Sequence, residues 1–245
     1  RSINCLHQDP PGAPVASPDC PSPTGAFKPA VAMSGYIYGF AVASIIWAVV
    51  SLLIQWVIAW GGGRRDHSER SGVPQKGMIY NFTVAMLPSH KETVRLHPMK
   101  FAAGILMHTG AFIAIFSMIL LLAFGKLHPV VSVPGTVILS ISLIAAVFLL
   151  YRRMTDKTLQ AINTPDDVCA IVSTTVYILL ALLLHIGIIS ASIFLFTSAL
   201  FFLYFPLGKL RHALFFFVAR GDYGRRLGYR GVYPVPHKAK QDNSL

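Results

Sequence analysis

The chain has 245 residues, 54% of them apolar and only 13% charged, and a formal net charge of +11. That composition, with a mean hydropathy of +0.58, excludes an ordinary soluble domain and points to an integral membrane protein. The positive charge lies in segments between long apolar stretches, which favours a lipid surface over nucleic acid as its partner.

Residues 1–32 are rich in Pro, Ser, Gly and Ala without a periodic apolar pattern, and read as an extended N-terminal arm. Cys5 and Cys20 within it either pair as a disulfide on an oxidising side of the membrane or remain two solvated thiols. The first uncharged stretch, Met33 to Gly63, is long enough for one crossing at about 20 residues per span. A basic loop, 61–97, follows, and its stretch from Met78 to Leu87 reads as an interfacial amphipathic helix ending at Pro88. Phe101 to Gly125 and Leu127 to Tyr151 are the next two spans. The stretch from Val168 to Leu207 would make a rod of about 60 Å, twice the hydrocarbon thickness, so it is expected to fold back near His185, Gly187 and Ser190. The expectation is an all-α bundle of five transmembrane helices over residues 33–219, followed by a basic tail, 220–245.

Segments 61–100, 152–167 and 208–245 carry seven, three and eight Lys or Arg residues, against three on the other side of the spans. This asymmetry predicts the N-terminus outside and the C-terminus in the cytoplasm, which requires an odd number of crossings. Cys169, at the start of the fourth span, reads as a packed small residue.

Nine histidines are present. His7, His67, His90 and His237 fall in polar or Pro-rich segments and read as solvated. His97 precedes Pro98 at the mouth of the second span, while His128 and His185 fall near the outer boundary, where a polar side chain needs no special role. His108 and His212 differ because each interrupts an apolar segment, where an ionisable group is costly and usually functional. Counted from Pro98 and from Arg220, they sit about 15 Å and about 12 Å from the same face. Two imidazoles at one level, flanked by Gly104, Thr109 and Gly110 and by Gly208 and Ala213, suit the axial ligands of one haem b. The competing reading is that each histidine bonds a neighbouring helix.

The run from Tyr204 through Phe205, Pro206, Leu207, Gly208, Lys209, Leu210 and Arg211 to His212 resembles the F-P-[FL]-x-[KR]-L-x-H signature of the gamma subunit of respiratory nitrate reductase. That family's relatives include the cytochrome b subunits of heterodisulfide reductase and of sulfite-reductase-linked complexes. Arg152 and Arg153 followed by Thr164, Pro165, Asp166 and Asp167 resemble its third loop, and Leu106 to Gly110 its second-helix ligand site. The resemblance covers roughly Ser34 to His212. It implies haem iron held by His108 and His212, an iron–sulfur or other redox subunit as partner, and exchange with a quinone pool in a bacterial or archaeal cytoplasmic membrane. Members with two haems place the second pair of ligands at positions that correspond here to Met118 and Phe194. Phe194 cannot ligate iron, so one haem near the cytoplasmic face is expected. A second haem on Met118 and His185 is the weaker alternative, with packing the expected role of Met118.

Arg95, Lys100, Lys209 and Arg211 lie on the cytoplasmic side of the histidine level, where haem propionates and lipid phosphate compete for them. The tail beyond Arg220 suits contact with a partner subunit. Neither a nucleotide-binding Gly-rich motif nor a C-x-x-C site occurs, so substrate chemistry is expected on another subunit. The reading is a membrane-anchoring cytochrome b subunit. Its rival is a haem-free anchor or a small transporter, the latter expected to show internal repeats or intramembrane carboxylates.

Overall fold

The computed structural model describes residues 35–61, 73–88, 94 and 96–227. The arm with Cys5 and Cys20, most of the loop around Arg95, and the tail beyond Leu227 lie outside the described residues. Among the described residues the α-helices with defined bounds are, in order, α1 Gly35–Gly61, α2 Pro74–Phe82, α3 Pro98–Phe124, α4 Pro129–Thr155, α5 Lys157–Ala161, α6 Pro165–His185, α7 Ala191–Tyr204 and α8 His212–Leu227. Short 3-10 turns occupy Val84–Met86 and Lys209–Arg211. The described residues contain no strand.

Helix boundaries fall where local chemistry stops the chain. Pro98, Pro129 and Pro165 each occupy the first turn, where the missing N–H costs nothing. Thr164 and Asp167 close a capping box on α6. Gly125 ends α3 at φ 70° and Gly187 turns the chain after α6 at φ 77°, in the left-handed region where a Cβ is disfavoured. The predicted fold-back near His185, Gly187 and Ser190 is therefore where α6 gives way to α7, with Ser190 as the N-cap.

α1, α3, α4 and α6 are long and apolar enough to cross a membrane. α7 has 14 residues, about 21 Å, and is too short to cross a core of about 30 Å unaided. The chain then bends by 80° into the segment Lys209–Arg225, so the described residues hold four spans, or five where α7 and that segment together count as one broken span. Pro206 has no N–H to continue the ladder, and the amides of Leu207 and Gly208 turn back to the Tyr204 carbonyl. Two carbonyls freed at the break are met by α1: Trp47 Nε1 donates to Leu203 O at 3.3 Å and Gln55 Nε2 to Pro206 O at 2.9 Å. Irregular backbone at membrane depth survives when protein groups satisfy it in this way.

α1 packs on α7, α3 on α4, α4 on α6, and α2 on α8. The seams use small residues. A Cβ on Gly110 would collide with Ser142, and Ala41, Ser44 and Ala48 form the buried stripe of α1. Tyr177 is stacked between Phe194 and Phe201, with ring centroids 5.7 Å and 4.3 Å away. Outward faces remain apolar: Ile46, Val57 and Ile58 on α1, and Val133, Val137 and Ile144 on α4, are all more than half exposed. Apolar surface of this extent on several sides of a bundle belongs in lipid. The chain is a multi-pass membrane protein.

Residues Met78 to Leu87, expected as one amphipathic helix, are divided. α2 starts earlier, at Pro74, and yields after Phe82 to a 3-10 turn. The first eight residues of the expected basic tail are helical, forming the second half of α8. Cys169 is exposed on the bundle surface, not packed inside it.

Candidate functional site

His108 lies in the third turn of α3 and His212 opens α8 immediately after the break. The bend therefore aims the start of α8 at α3. The two imidazole rings stand 6.3 Å apart between centroids, with planes at 85°. Both side chains are exposed.

Each ring is fixed by one hydrogen bond to its own chain. His108 Nδ1 lies 2.7 Å from Gly104 O, and His212 Nδ1 lies 2.6 Å from Lys209 O. A carbonyl only accepts, so each Nδ1 carries a proton and donates, and in the neutral imidazole each Nε2 is then the lone-pair nitrogen. Metal-binding histidines are ordinarily oriented in this way by a carbonyl on the far nitrogen. A metal–imidazole bond of about 2 Å on each side, with about 1 Å from nitrogen to ring centre, would set two centroids about 6 Å apart. A Cβ built on Gly104, one turn before His108, meets nothing within 4 Å. The α3 backbone there is open to a flat ligand.

Among the described residues, no group of three or more His, Cys, Asp or Glu side chains could hold a bare metal ion. Two imidazoles without further donors fit a metal that brings its own equatorial ligands, which is what a porphyrin supplies. The residues present fit haem.

Of the four cations assigned to this region, Lys100 lies half-buried on α3, eight residues before His108 and about 12 Å along the helix. Arg211 directly precedes His212 and is exposed. Lys209 is committed elsewhere: its Nζ lies 2.5 Å from Asp167 Oδ2. Arg95 lies outside the described residues.

The Lys209 contact belongs to a polar latch that pattern reading did not assemble. Asp167 also pairs with Arg153 at 2.8 Å and accepts from the Thr164 hydroxyl at 2.7 Å. Arg153 Nε donates to Asn163 Oδ1 at 2.7 Å, and the Tyr204 hydroxyl donates to Asp166 Oδ1 at 2.6 Å. Gly208 makes this possible, because a Cβ there would collide with the Tyr204 ring. The latch ties the end of α4, the start of α6 and the break after α7 into one unit, which fixes the direction in which His212 leaves. Its sequence signal was the spacing of Tyr204, Gly208 and Lys209, legible only once α6 was known to begin at Pro165.

The opposite end of the bundle holds His185. It is buried, with Nε2 at 2.8 Å from Ser117 Oγ and Nδ1 at 3.2 Å from Ser132 O. Ser132 Oγ in turn donates to His185 O at 2.9 Å. Gly135 leaves the space for the ring, since a Cβ there would collide with it. Met118 is 1% exposed in the apolar core, and Phe194 is fully buried against Tyr177. His97 stands at the N-cap position of α3 without a side-chain cap bond, and His128 caps α4, accepting from Val130 N.

Comparison with known proteins finds no matching family model, no matching curated protein and no matching solved structure.

Proposed function

We propose that this protein is a membrane-anchoring cytochrome b subunit of a respiratory oxidoreductase, of the nitrate reductase gamma-subunit type. His108 and His212 would hold one haem b and pass electrons between a quinone pool and a redox subunit docked at the basic end of the bundle. The observation that carries this reading is the imidazole pair at 6.3 Å, with each Nδ1 tied to a carbonyl.

The bound haem would supply one-electron transfer. The protein's part is positional. Gly104 O and Lys209 O hold the two rings in the tautomer that presents Nε2. The latch on Asp167 fixes the start of α8, so the ligand from α8 faces the ligand from α3 without a search. Lys100 and Arg211, on the side of the bundle rich in Lys and Arg, would be available to pair with the carboxylates of a bound haem. The positive-inside rule supports a cytoplasmic position for that side, with the N-terminus outside and the partner in the cytoplasm, and the resemblance to the nitrate reductase gamma subunit supports a bacterial or archaeal cytoplasmic membrane as the setting.

At the outer end, Met118 is packed, Phe194 is stacked and both nitrogens of His185 are bonded, which supports a single haem. The test is a dithionite-reduced minus oxidised spectrum of the purified protein with a pyridine haemochrome count. One b haem per chain is expected. A folded protein devoid of haem, purified from haem-replete cells, overturns the proposal in favour of a haem-free anchor.

A further inference from the structure

We infer that the cup between α1, α2 and α8 seats the ring of a membrane quinone. The inference rests on the electron-transfer reading above, and locates the quinone that reading requires. The cup measures about 710 Å³, within the range of pockets that enclose small organic ligands. Trp56 and Trp60 of α1, Phe217 of α8 and Met78 of α2 line it, and Gln75, Arg225 and the Asp222 carboxylate are the polar side chains of the lining.

The walls are fixed in place. A Cβ on Gly224 would lie 2.7 Å from Gly77 O and from Asn81 Nδ2, so α2 and α8 meet backbone to backbone. Trp47 and Gln55 bind the carbonyls of Leu203 and Pro206 and hold the break that precedes α8 against α1. The Arg225 guanidinium lies over the Trp60 ring, 5.7 Å from its centroid.

These features select among occupants. An acyl chain needs only apolar lining. A quinone presents two flat faces and two carbonyl oxygens of partial negative charge at its edge. Aromatic plates stack on the faces, while indole N–H, the Gln75 amide and the Arg225 cation are donors suited to the oxygens. α8 joins this cup to the candidate haem site: His212 is its first residue, and Leu214, two residues on, already lines the cup. A quinone seated here lies one short segment from the proposed ligand.

Intrinsic fluorescence tests the assignment, because Trp56 and Trp60 are two of the three tryptophans in the chain. The full-length protein in phosphatidylcholine nanodiscs is titrated with a decyl-chain benzoquinone, with decanol as the ringless control. Saturable quenching near one quinone per chain is expected, unaltered by decanol. At Gly221, a cup-lining position, a Cβ meets nothing within 4 Å. Gly221→Phe is therefore expected to fill the cup and weaken quenching at least tenfold with the haem spectrum unchanged. Arg225→Met, which removes a lining donor without adding bulk, should weaken it several-fold and serves if Gly221→Phe fails to fold. Purely linear quenching, saturation that survives both substitutions, or equal competition by decanol overturns the cup assignment. Saturable quenching in a haem-free protein would instead overturn the electron-transfer reading, so the two failures are distinguishable.

Discussion

At one end of the bundle His185 commits both ring nitrogens to protein partners, Ser117 and Ser132; at the other, His108 and His212 each commit one to a carbonyl and, among the described residues, keep the second. His185 is buried, in a hollow left by Gly135, whereas the rings of the pair are exposed and lie beside open backbone at Gly104. An imidazole with both nitrogens satisfied is a structural cross-link between α3, α4 and α6. An imidazole with one nitrogen oriented and one lone pair presented is prepared for a ligand. Hydrogen-bond accounting thus separates two kinds of histidine that hydropathy treats alike.

The largest effect expected from this contrast is on haem content. On the proposed haem reading, His108→Leu or His212→Leu should abolish the reduced α band, because each removes one of the two proposed imidazole ligands. His185→Leu should leave the band in any protein that folds, while lowering stability. Spectra of membranes expressing equal amounts of each variant check this. If the band survives both changes of the pair, or is lost only with His185, the assignment of roles to the two ends is reversed.

The architecture was legible in the sequence because its signals are long. Apolar runs of more than 20 residues leave few alternatives to spanning helices, and the turn at Gly187 was found because one run was twice too long. The bend after Tyr204 was not anticipated, although Pro206 and Gly208 stand there, because hydropathy continues through Leu214 to Val218. Reading depth from Arg220 along a straight helix did not anticipate this geometry: the chain turns by 80° between α7 and the segment that carries His212, and the two imidazoles stand 6.3 Å apart after that turn. The latch escaped notice because its members, from Arg153 to Lys209, are distant in sequence and each reads singly as an interfacial charge. Ser117, Ser132 and Gly135 are unremarkable small residues until a histidine is set against them.

A smaller effect is expected at the seat of His185. Gly135→Ala places a methyl group into the imidazole, and the ring cannot rotate away without breaking its bonds to Ser117 and Ser132. Overpacking of this kind costs about 1–3 kcal/mol. The change should lower resistance to unfolding in an SDS titration yet leave the haem count as in the unaltered protein. Gly104→Ala, where the added Cβ meets no atom within 4 Å, should show no such loss of stability. Equal costs at the two glycines would remove the distinction between a filled seat and an open face.

The smallest change sharpens the proton positions. Ser132 O can only accept, so in neutral His185 the proton sits on Nδ1 and Nε2 is the lone pair. Ser117 has one hydroxyl proton and two acceptors within reach, Ile113 O and His185 Nε2, each at 2.8 Å. In a neutral site it must turn toward Nε2, leaving Ile113 O with its helical partner alone. Ser117→Ala therefore strips a buried nitrogen of its donor and is expected to cost about 0.5–1.5 kcal/mol, given that interhelical hydrogen bonds in membranes average about 0.6 kcal/mol and an unsatisfied buried group costs more. Its SDS unfolding midpoint should lie between those of the unaltered protein and Gly135→Ala, with the α band unchanged. A loss of haem in step with the loss of stability would mean that the two ends are one cooperative unit, and the hydrogen-bond distinction between them would no longer assign their roles.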